Sequence, residues 1–467
     1  MDENLFFLNN PWRRGAYRLP EEIIERDMFP YACACLDAPE ILLLTGLRQT
    51  GKSTLARQLI HYLLTVRQVS PATVFYFTFD DLSLRHELSA SFPTFIRIME
   101  KLLGGDAASF GRLWLFADEV QKLPGFIEYV KALHDLGYPI KWVLTGSSAL
   151  ELMSQVRESL AGRVLHLPVS PFTEGEVFRV RGMPAPDKGV VRAMLTCAKP
   201  LEEDELRRQQ ATLLPFRHDI DRIGDDMLLY GSLPAVARAT EGERRLTLLK
   251  NYRDTYLEQD IRGVVKDDKL WIYQRVMEIL AGRTGDLLNY TDIAGQTGVA
   301  VDTVKRYVAL LEKTFLIREL TTCSRNIRAE QLKSPRIYFT DLGIRNILLG
   351  ITDLALLERL NLLGSSLENL VEERLQAELI LTRRQARLHY WRTKAKDEVD
   401  LVVATPQTLL PIEIKSDRTP QKRYIRGIVK FLAKETEAKG VLIGRFDAVE
   451  VIRQDGREIF LLPLWMV

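Results

Sequence analysis

The stretch "ILLLTGLRQTGKSTLARQLIHYLL", residues 41–64, decides the fold. A short apolar run ending in glycine reads as a buried strand, and Leu55, Leu59 and Leu63 then recur at helical spacing. Between them Gly46-Leu47-Arg48-Gln49-Thr50-Gly51-Lys52-Ser53 fits the pattern G-x-x-x-x-G-K-[ST]. Gly46 and Gly51 permit backbone angles that a side chain would block. The loop then turns its N–H groups inward as an anion cradle, at the positive end of the following helix. Lys52 is placed to reach the outer phosphates of a bound nucleotide, and Ser53 to offer its hydroxyl to Mg²⁺. Thr54 closes the set of expected nucleotide-contacting residues.

Three further strand-like runs follow: "ATVFYFTF" at 72–79, "RLWLFADEV" at 112–120 and "IKWVLTGSS" at 140–148, with helical stretches between. Strands alternating with helices predict an α/β fold, a parallel sheet with helices on both faces. The third run delivers Asp118 to the Mg²⁺ beside the phosphate loop, with Glu119 next to it to polarise the attacking water. The Asp-Glu pair favours hydrolysis over phosphate transfer; the bland alternative is a surface acidic pair at a strand end. The fourth run ends in Thr145-Gly146-Ser147-Ser148, and the hydroxyl of Ser147 is a candidate partner for the γ-phosphate or the water. Arg163, in "ESLAGRV", is a candidate for stabilising charge that develops in transfer, on its own nucleotide or a neighbour's. A structural ion pair is its alternative.

The whole chain bounds these readings. Its 467 residues imply about three domains, and 46% hydrophobic with 27% charged residues is a normal globular balance. A net charge of +2 neither favours nor excludes nucleic acid, so any basic surface is local. Cys33, Cys35, Cys197 and Cys323 have no zinc spacing and read as reduced core thiols. The start "MDENLFFLNNPWRR" is no secretory signal, and no run approaches the ~20 apolar residues of a membrane helix. A cytoplasmic protein without a membrane partner is expected.

The order "TGLRQTGKST", "LFADEVQKLP", "VLTGSSALEL", "SLAGRV", "YGSLPAV" and "YLEQDI" resembles the widespread bacterial and archaeal predicted ATPases of the AAA+ superfamily whose C-terminal half is a domain of unknown function. The likeness covers most of the chain. The family usually has Pro where Leu47 stands, a departure of little weight because that side chain need not touch phosphate. The resemblance implies a P-loop AAA+-type core, a helical middle, a winged helix and a C-terminal α/β domain like restriction endonucleases. It implies ATP and Mg²⁺ as cofactors, and a homo-oligomer in which an Arg reaches a neighbour's nucleotide. The expected boundaries are 1–170 for the ATPase core, 171–280 for the helical connecting region, 281–345 for the winged helix-turn-helix and 346–467 for the nuclease-like domain.

In the middle, "NYTDIAGQTGVAVDTVKRYVALLEKTFLIREL" spans 289–320. A short helix, a turn at Gly298 and a second helix capped by Asp302 predict a helix-turn-helix. Val304, Val308 and Leu311 share one face, leaving Thr303, Lys305 and Arg306 for a groove. "FLIREL" and "RIYFTD" predict wing strands, with Arg325, Arg328, Lys333 and Arg336 as a basic segment between them. Such modules also serve as packing or protein-docking elements, so DNA and protein partners are both open here.

Near the end, "EVDLVVATPQTLLPIEIKSD" carries Asp400, Glu413 and Lys415. In adjacent strands Asp400 and Glu413 face each other, and Glu413 and Lys415 share a strand face. Two carboxylates holding Mg²⁺ beside a lysine that positions water are a pattern for phosphodiester hydrolysis. This resembles the PD-(D/E)xK nuclease core. That fold also has an upstream helical acid, for which "SLENLVEERLQAEL" offers Glu368, ahead of Glu372 one turn on. An exposed Glu and Lys on a half-solvated strand are the ordinary alternative. Arg418, Lys422, Arg423, Arg426 and Lys430 follow on an expected helix as a phosphate-tracking or merely solvated face. The sequence thus predicts an ATPase acting on DNA, and leaves open whether its nuclease-like domain is a Mg²⁺-dependent endonuclease. The alternative is a nucleotide-dependent regulatory switch that binds protein partners and has an inactive nuclease-like fold.

Overall fold

The computed structural model describes residues 3–15, 17–90, 93–146, 160–195, 201–262, 264–323, 334–383 and 385–467. They form two compact units. One comprises residues Met1–Pro171 and Lys313–Phe315, the other Phe172–Glu312 and Leu316–Val467.

The first unit is built on five parallel strands: β1 (Ile41–Thr45), β2 (Val74–Thr78), β3 (Leu113–Asp118), β4 (Ile140–Gly146) and β5 (Val164–Pro168), in the order β2-β3-β4-β1-β5. The first four are the predicted ones. β5 is an addition: its five residues include His166 and a terminal proline, too weak a pattern to read as a strand. Leu42, Leu43 and Leu44 are all fully buried, as a strand covered on both faces requires. One face packs Leu43, Phe77, Leu115 and Trp142 against Phe95 and Phe126. Helix α1 (Lys52–Thr65) follows β1 after the loop 46–51 and buries Leu55, Leu59 and Leu63, the predicted stripe.

The outer edge of β2 is covered by a preceding segment. Asn10 Nδ2 donates to Tyr76 O at 2.8 Å, and Tyr76 N donates to Asn10 Oδ1 at 2.7 Å. Trp12 Nε1 donates to Val74 O at 3.1 Å and Arg13 Nη1 to Ala72 O at 2.7 Å.

The second unit begins as helices, among them α2 (Arg217–Tyr230). Helix α3 (Tyr290–Thr297) ends on left-handed Gly298, and α4 (Val301–Lys313) buries Val304, Val308 and Leu311 as predicted. Asp302 lies inside the first turn of α4 rather than capping it, because the helix opens one residue earlier. β6 (Ile317–Leu320) and β7 (Arg336–Phe339) then pair antiparallel. Arg325, Arg328 and Lys333 lie outside the described residues. Helix α5 (Leu363–Thr382) leads into a six-stranded mixed sheet of β8 (Arg387–Arg392), β9 (Glu398–Ala404), β10 (Leu409–Lys415), β11 (Lys439–Gly444), β12 (Glu450–Gln454) and β13 (Arg457–Pro463), in the order β12-β13-β11-β10-β9-β8. β10, β11 and β13 run parallel; β8 and β9, β9 and β10, and β12 and β13 pair antiparallel. Helix α6 (Arg426–Glu435) packs Ile428, Phe431 and Leu432 on this sheet.

The basic residues after β10 do not share one helix. Arg418 precedes any helix, Lys422 and Arg423 sit in a 3₁₀ turn, and only Arg426 and Lys430 lie on α6, where Lys430 is paired with Asp397. The proline at 420 and the short 3₁₀ turn delay the helix. Among the described residues the free cysteines are Cys33, Cys35 and Cys323; burial pushes the thiols of Cys33 and Cys35 up to about 11. Cys197 lies outside the described residues. Among the described residues no helix is long and apolar enough to cross a membrane.

Candidate functional site

The first site grows out of the turn between β1 and α1. Gly46 has φ of 144°, and a Cβ there would lie 2.4 Å from the carbonyl oxygen of Val169, so a side chain is sterically excluded. Gln49 and Gly51 also hold positive φ, 64° and 92°, which curls the main chain into an anion nest. Leu47 is buried, Arg48 half-buried and Gln49 exposed. Thr50 is buried and donates its hydroxyl to Leu47 O at 2.9 Å. Lys52 Nζ donates to Gly46 O at 3.1 Å and Leu47 O at 2.9 Å, so the ammonium lies folded over its own loop. Thr54 stands half-buried in the first turn of α1.

The two motifs meet at Asp118. Ser53 Oγ donates to Asp118 Oδ1 at 2.9 Å, Thr145 Oγ1 donates to the same oxygen, and Tyr76 OH donates to Oδ2 at 2.7 Å. Burial and then the Asp118 charge push the Tyr76 phenol well above its ordinary value, so it is a firm donor. Glu119 follows in a left-handed conformation, φ 58°; its N–H donates to Thr145 Oγ1 at 3.1 Å, and Gln121 Nε2 donates to its carboxylate. A hydroxyl and a carboxylate are hard oxygen donors, the set that suits Mg²⁺.

Two predicted members stand apart. Ser147 lies outside the described residues; from the same strand end it is Thr145 whose hydroxyl reaches Asp118. Arg163 immediately precedes β5, and its carbonyl accepts from Ile41 N at 2.8 Å, at the entry of β1. The phosphate loop leaves the other end of that strand, and five strand residues span roughly 15 Å. Arg163 is therefore at the opposite sheet end from its own loop, where Asp135 Oδ1 takes its Nε at 2.6 Å. The physical reason is strand polarity: β5 runs parallel to β1, so a residue ahead of β5 falls at the far edge. Sequence reasoning missed Tyr76 and Arg26. Arg26 Nη1 donates to Thr50 O at 2.7 Å and Nη2 to Ser170 O at 2.8 Å, bracing the loop from outside. Nothing local in either stretch signals these long-range contacts.

The second site lies in the other unit. The register that sets Ile412 opposite Leu401 brings Asp400 opposite Glu413. Glu413 and Lys415 alternate with buried Ile412 and Ile414, as predicted. Asp400 Oδ2 accepts from Ile414 N at 2.9 Å and from Lys415 Nζ at 3.4 Å, and Lys415 Nζ is 2.6 Å from Glu413 Oε1. Glu368, on α5, joins them electrostatically. Burial, then the charge of Asp400, pushes the carboxyl of Glu368 up to about 7 and that of Glu413 to about 8. Glu413 Oε2 is buried with no hydrogen-bond partner. Crowded carboxylates and an orphaned oxygen fit a cation. Among the described residues no three His, Cys, Asp or Glu side chains form a metal cage. Any fit is therefore to an ion held by two carboxylates that keeps its waters, as Mg²⁺ commonly does.

Strand β7 supplies groups the sequence placed elsewhere. Arg336 is buried, not part of an open basic segment: its Nη1 is 2.8 Å from Glu368 Oε1 and 3.5 Å from Asp400 Oδ1, and Nη2 is 3.4 Å from Glu398 Oε2. Alternation on β7 turns it and Tyr338 to the acids, and Tyr338 OH also donates to Glu368. Asn369 clamps α5 to β7, donating to Phe339 O at 2.9 Å and accepting from Phe339 N at 2.8 Å. Glu372 is taken by Arg318 at 2.6 Å and stands outside the cluster. On α4, Lys305 and Arg306 are exposed and Thr303 half-buried.

Comparisons agree with this geometry in part. Residues 38–178 match a family model described as an AAA domain, which supports an AAA+ ATPase. Residues 222–355 and 363–465 each match a domain of unknown function, DUF8612 and DUF4143. An uncharacterized protein of Mycobacterium tuberculosis is 29% identical over 399 residues, covering 85% of this chain and 75% of its own. An uncharacterized protein of Methanocaldococcus jannaschii is 26% identical over 430 residues, covering 87% and 81%. Among solved structures, C. elegans PCH-2 matches at 13% identity over 49% of this chain and 67% of that one, with a TM-score of 0.28. A DNA polymerase III gamma subunit-related protein of Thermotoga maritima matches at 11% over 62% and 97%, with a TM-score of 0.24. Scores this low carry no argument about the fold. What the matches support is an AAA-type nucleotide-binding segment at 38–178, followed by two segments of undescribed activity.

Proposed function

We propose that the chain hydrolyses ATP at the β1–α1 loop. The observation that carries this reading is the 2.9 Å bond from Ser53 Oγ to Asp118 Oδ1, which unites two motifs 65 residues apart. The loop's N–H groups grip the phosphates, and Lys52 exchanges its two loop carbonyls for phosphate oxygens. Ser53 and Asp118 hold the metal, with Asp118 fixed in orientation by Thr145 and Tyr76. Mg²⁺, when bound, neutralises charge on the transferring phosphoryl group. Glu119 orients the attacking water and takes its proton. Arg163 then serves a neighbouring copy's nucleotide in a homo-oligomer. The test is calorimetric titration of the purified chain with ATP and Mg²⁺: absence of binding ends the reading.

We further propose that the second unit acts on DNA. Helices α3 and α4 with the β6–β7 hairpin serve as a winged helix-turn-helix, and Asp400, Glu413, Lys415 and Glu368 serve as a PD-(D/E)xK-like centre. The orphaned Glu413 Oε2 favours this, since a divalent cation would satisfy it. Asp400 and Glu413 hold the ion, and Lys415 positions water beside a phosphodiester. The test is Mg²⁺-dependent cutting of linear, nicked, branched and single-stranded DNA, lost in Glu413→Ala. If no substrate is cut and a stable protein partner is found instead, the chain is a nucleotide-dependent switch with an inactive nuclease-like fold. That second reading is favoured by Arg336, which already neutralises Glu368 and approaches Asp400.

A further inference from the structure

A cavity of about 320 Å³ opens in the second unit beside helix α2, and none of the acid-cluster residues lines it. Three parallel strands end at it. Arg418 lies just beyond β10, Arg445 follows β11 directly, and Trp465 follows β13 by two residues. The carboxyl edge of a parallel sheet is where α/β folds hold ligands. Arg217 and Arg374 also line it, but Arg374 gives its Nη2 to Glu174 Oε1 at 2.6 Å and its Nη1 to Val467 O at 2.6 Å, which leaves only its Nε open.

Two of these residues carry buried donors with no acceptor: Trp465 Nε1 and Arg374 Nε. Trp465 is 5% exposed, so its indole N–H has lost water without replacement. Orphaned donors call for an acceptor-rich ligand. The Arg217 guanidinium lies 5.3 Å from the centroid of the Trp465 ring, which fixes a flat cationic surface.

Four carboxylates also line the cavity, and two of them, Asp447 and Glu358, can yield. Asp447 holds Arg217 at 2.7 Å and Glu358 holds Arg445 at 3.8 Å, but these acids are 86% and 62% exposed. Such surface pairs are weak and readily exchanged for phosphate oxygens, which arginine binds in a fork. Burial raises the carboxyl of Asp225, the charge of Arg445 pulls it back down, and Asp221 and Asp226 add to the rise. Asp221 is turned to Arg217 at 3.6 Å.

We propose that this cavity binds a phosphate monoester of mononucleotide size, its phosphate on Arg217, Arg418 and Arg445 and an acceptor on Trp465 Nε1. The volume is that of a small-molecule site. The monoester is either a free nucleoside monophosphate or the 5′-phosphate end of a nucleic-acid strand. This site is independent of the ATPase reading, because it uses none of the β1–α1 loop.

The experiment is calorimetry on full-length Lys52→Ala, in which nucleotide binding at the β1–α1 loop is disabled. Three probes are titrated: adenosine monophosphate, a 5′-phosphorylated oligonucleotide and the same oligonucleotide with a 5′-hydroxyl. Saturable binding of a phosphorylated probe is expected, weakened about tenfold by an added Arg418→Ala, the loss of one charged fork. Trp465→Phe, which keeps a ring and removes the donor, weakens it too. Adenosine monophosphate binding assigns the free ligand; binding of only the phosphorylated strand assigns the strand end. The proposal is overturned if neither phosphorylated probe binds, if the 5′-hydroxyl strand binds as well as the phosphorylated one while adenosine monophosphate does not bind, or if Arg418→Ala changes nothing. Arg418 is exposed, so its removal leaves the fold intact and the test decisive.

Discussion

Tyr76 donates its hydroxyl to Asp118 Oδ2 at 2.7 Å, while Ser53 and Thr145 share Oδ1. The strand-end carboxylate is thus held at both oxygens before any nucleotide arrives. Tyr76→Phe removes one of the three bonds and leaves Oδ2 to rotate. A hydrogen bond to a charged group contributes about 1.5–3 kcal/mol. The expected outcome is a roughly tenfold higher Mg²⁺ concentration for half-maximal ATPase, with unchanged ATP affinity in calorimetry. An unchanged Mg²⁺ titration would show that Tyr76 is only packing.

Lys52→Ala abolishes nucleotide binding, whereas Glu119→Gln retains bound ATP and loses hydrolysis, by about 10²–10⁴-fold for a group that handles the proton. Filter-binding and phosphate-release assays on the two proteins separate these effects. Phosphate release at the parent rate from Glu119→Gln would place the water-polarising role elsewhere.

Gly46→Ala sets a methyl 2.4 Å from Val169 O at a φ that L-residues avoid. The loop must shift, at about 1–3 kcal/mol for the backbone alone. Lower thermal stability of the first unit and weakened ATP binding are expected together. Circular dichroism melts and calorimetry check both, and a Gly46→Ala protein with parental affinity would refute the close approach.

Arg163 cannot serve its own loop, so Arg163→Ala keeps nucleotide affinity and lowers turnover. Mixing it with Lys52→Ala chains restores activity, because the latter supply the arginine and the former the intact loop. Failure of the mixture to exceed the sum of its parts would reduce Arg163 to the partner of Asp135.

Asp341 gives a pH signature. Burial pushes its carboxyl up to about 6, against accepted bonds from Ser232 N at 2.7 Å and Ile344 N at 3.0 Å that pull the other way. A carboxyl raised in the folded state stabilises it below the unfolded value near 4. That contribution is lost as pH rises through about 6, on the order of 3 kcal/mol for two pH units. Asp341→Asn abolishes this term, so the melting difference, variant minus parent, grows between pH 4 and pH 7. A pH-independent difference would mean the buried carboxyl does not titrate there.

How much of this was legible in the chain depends on distance along it. The β1–α1 loop is a contiguous motif, and its glycines, Lys52 and Ser53 declare themselves. Asp118 follows from an apolar run that ends in acid. The pairing of Asp400 with Glu413 follows from strand alternation across one turn. Tyr76 and Arg26 were illegible, because their partners are fixed by sheet order and by a long loop rather than by local pattern. Whether Arg163 faces its own nucleotide or a neighbour's was not legible, because a basic residue near a strand start says nothing about which sheet end it occupies. Arg336 looked like surface charge; only the pleat of β7 turns it inward on Glu368.

The side-chain amide of Asn10 answers both main-chain groups of Tyr76 on the outermost strand. Together with Trp12 and Arg13 it does what another strand would do, without being one. On this border the Tyr76 amide and the carbonyls of Tyr76, Val74 and Ala72 are therefore already taken, which leaves a stranger's backbone fewer open groups to recruit. Clipping off the first dozen residues would uncover a sticky margin prone to fibrous stacking.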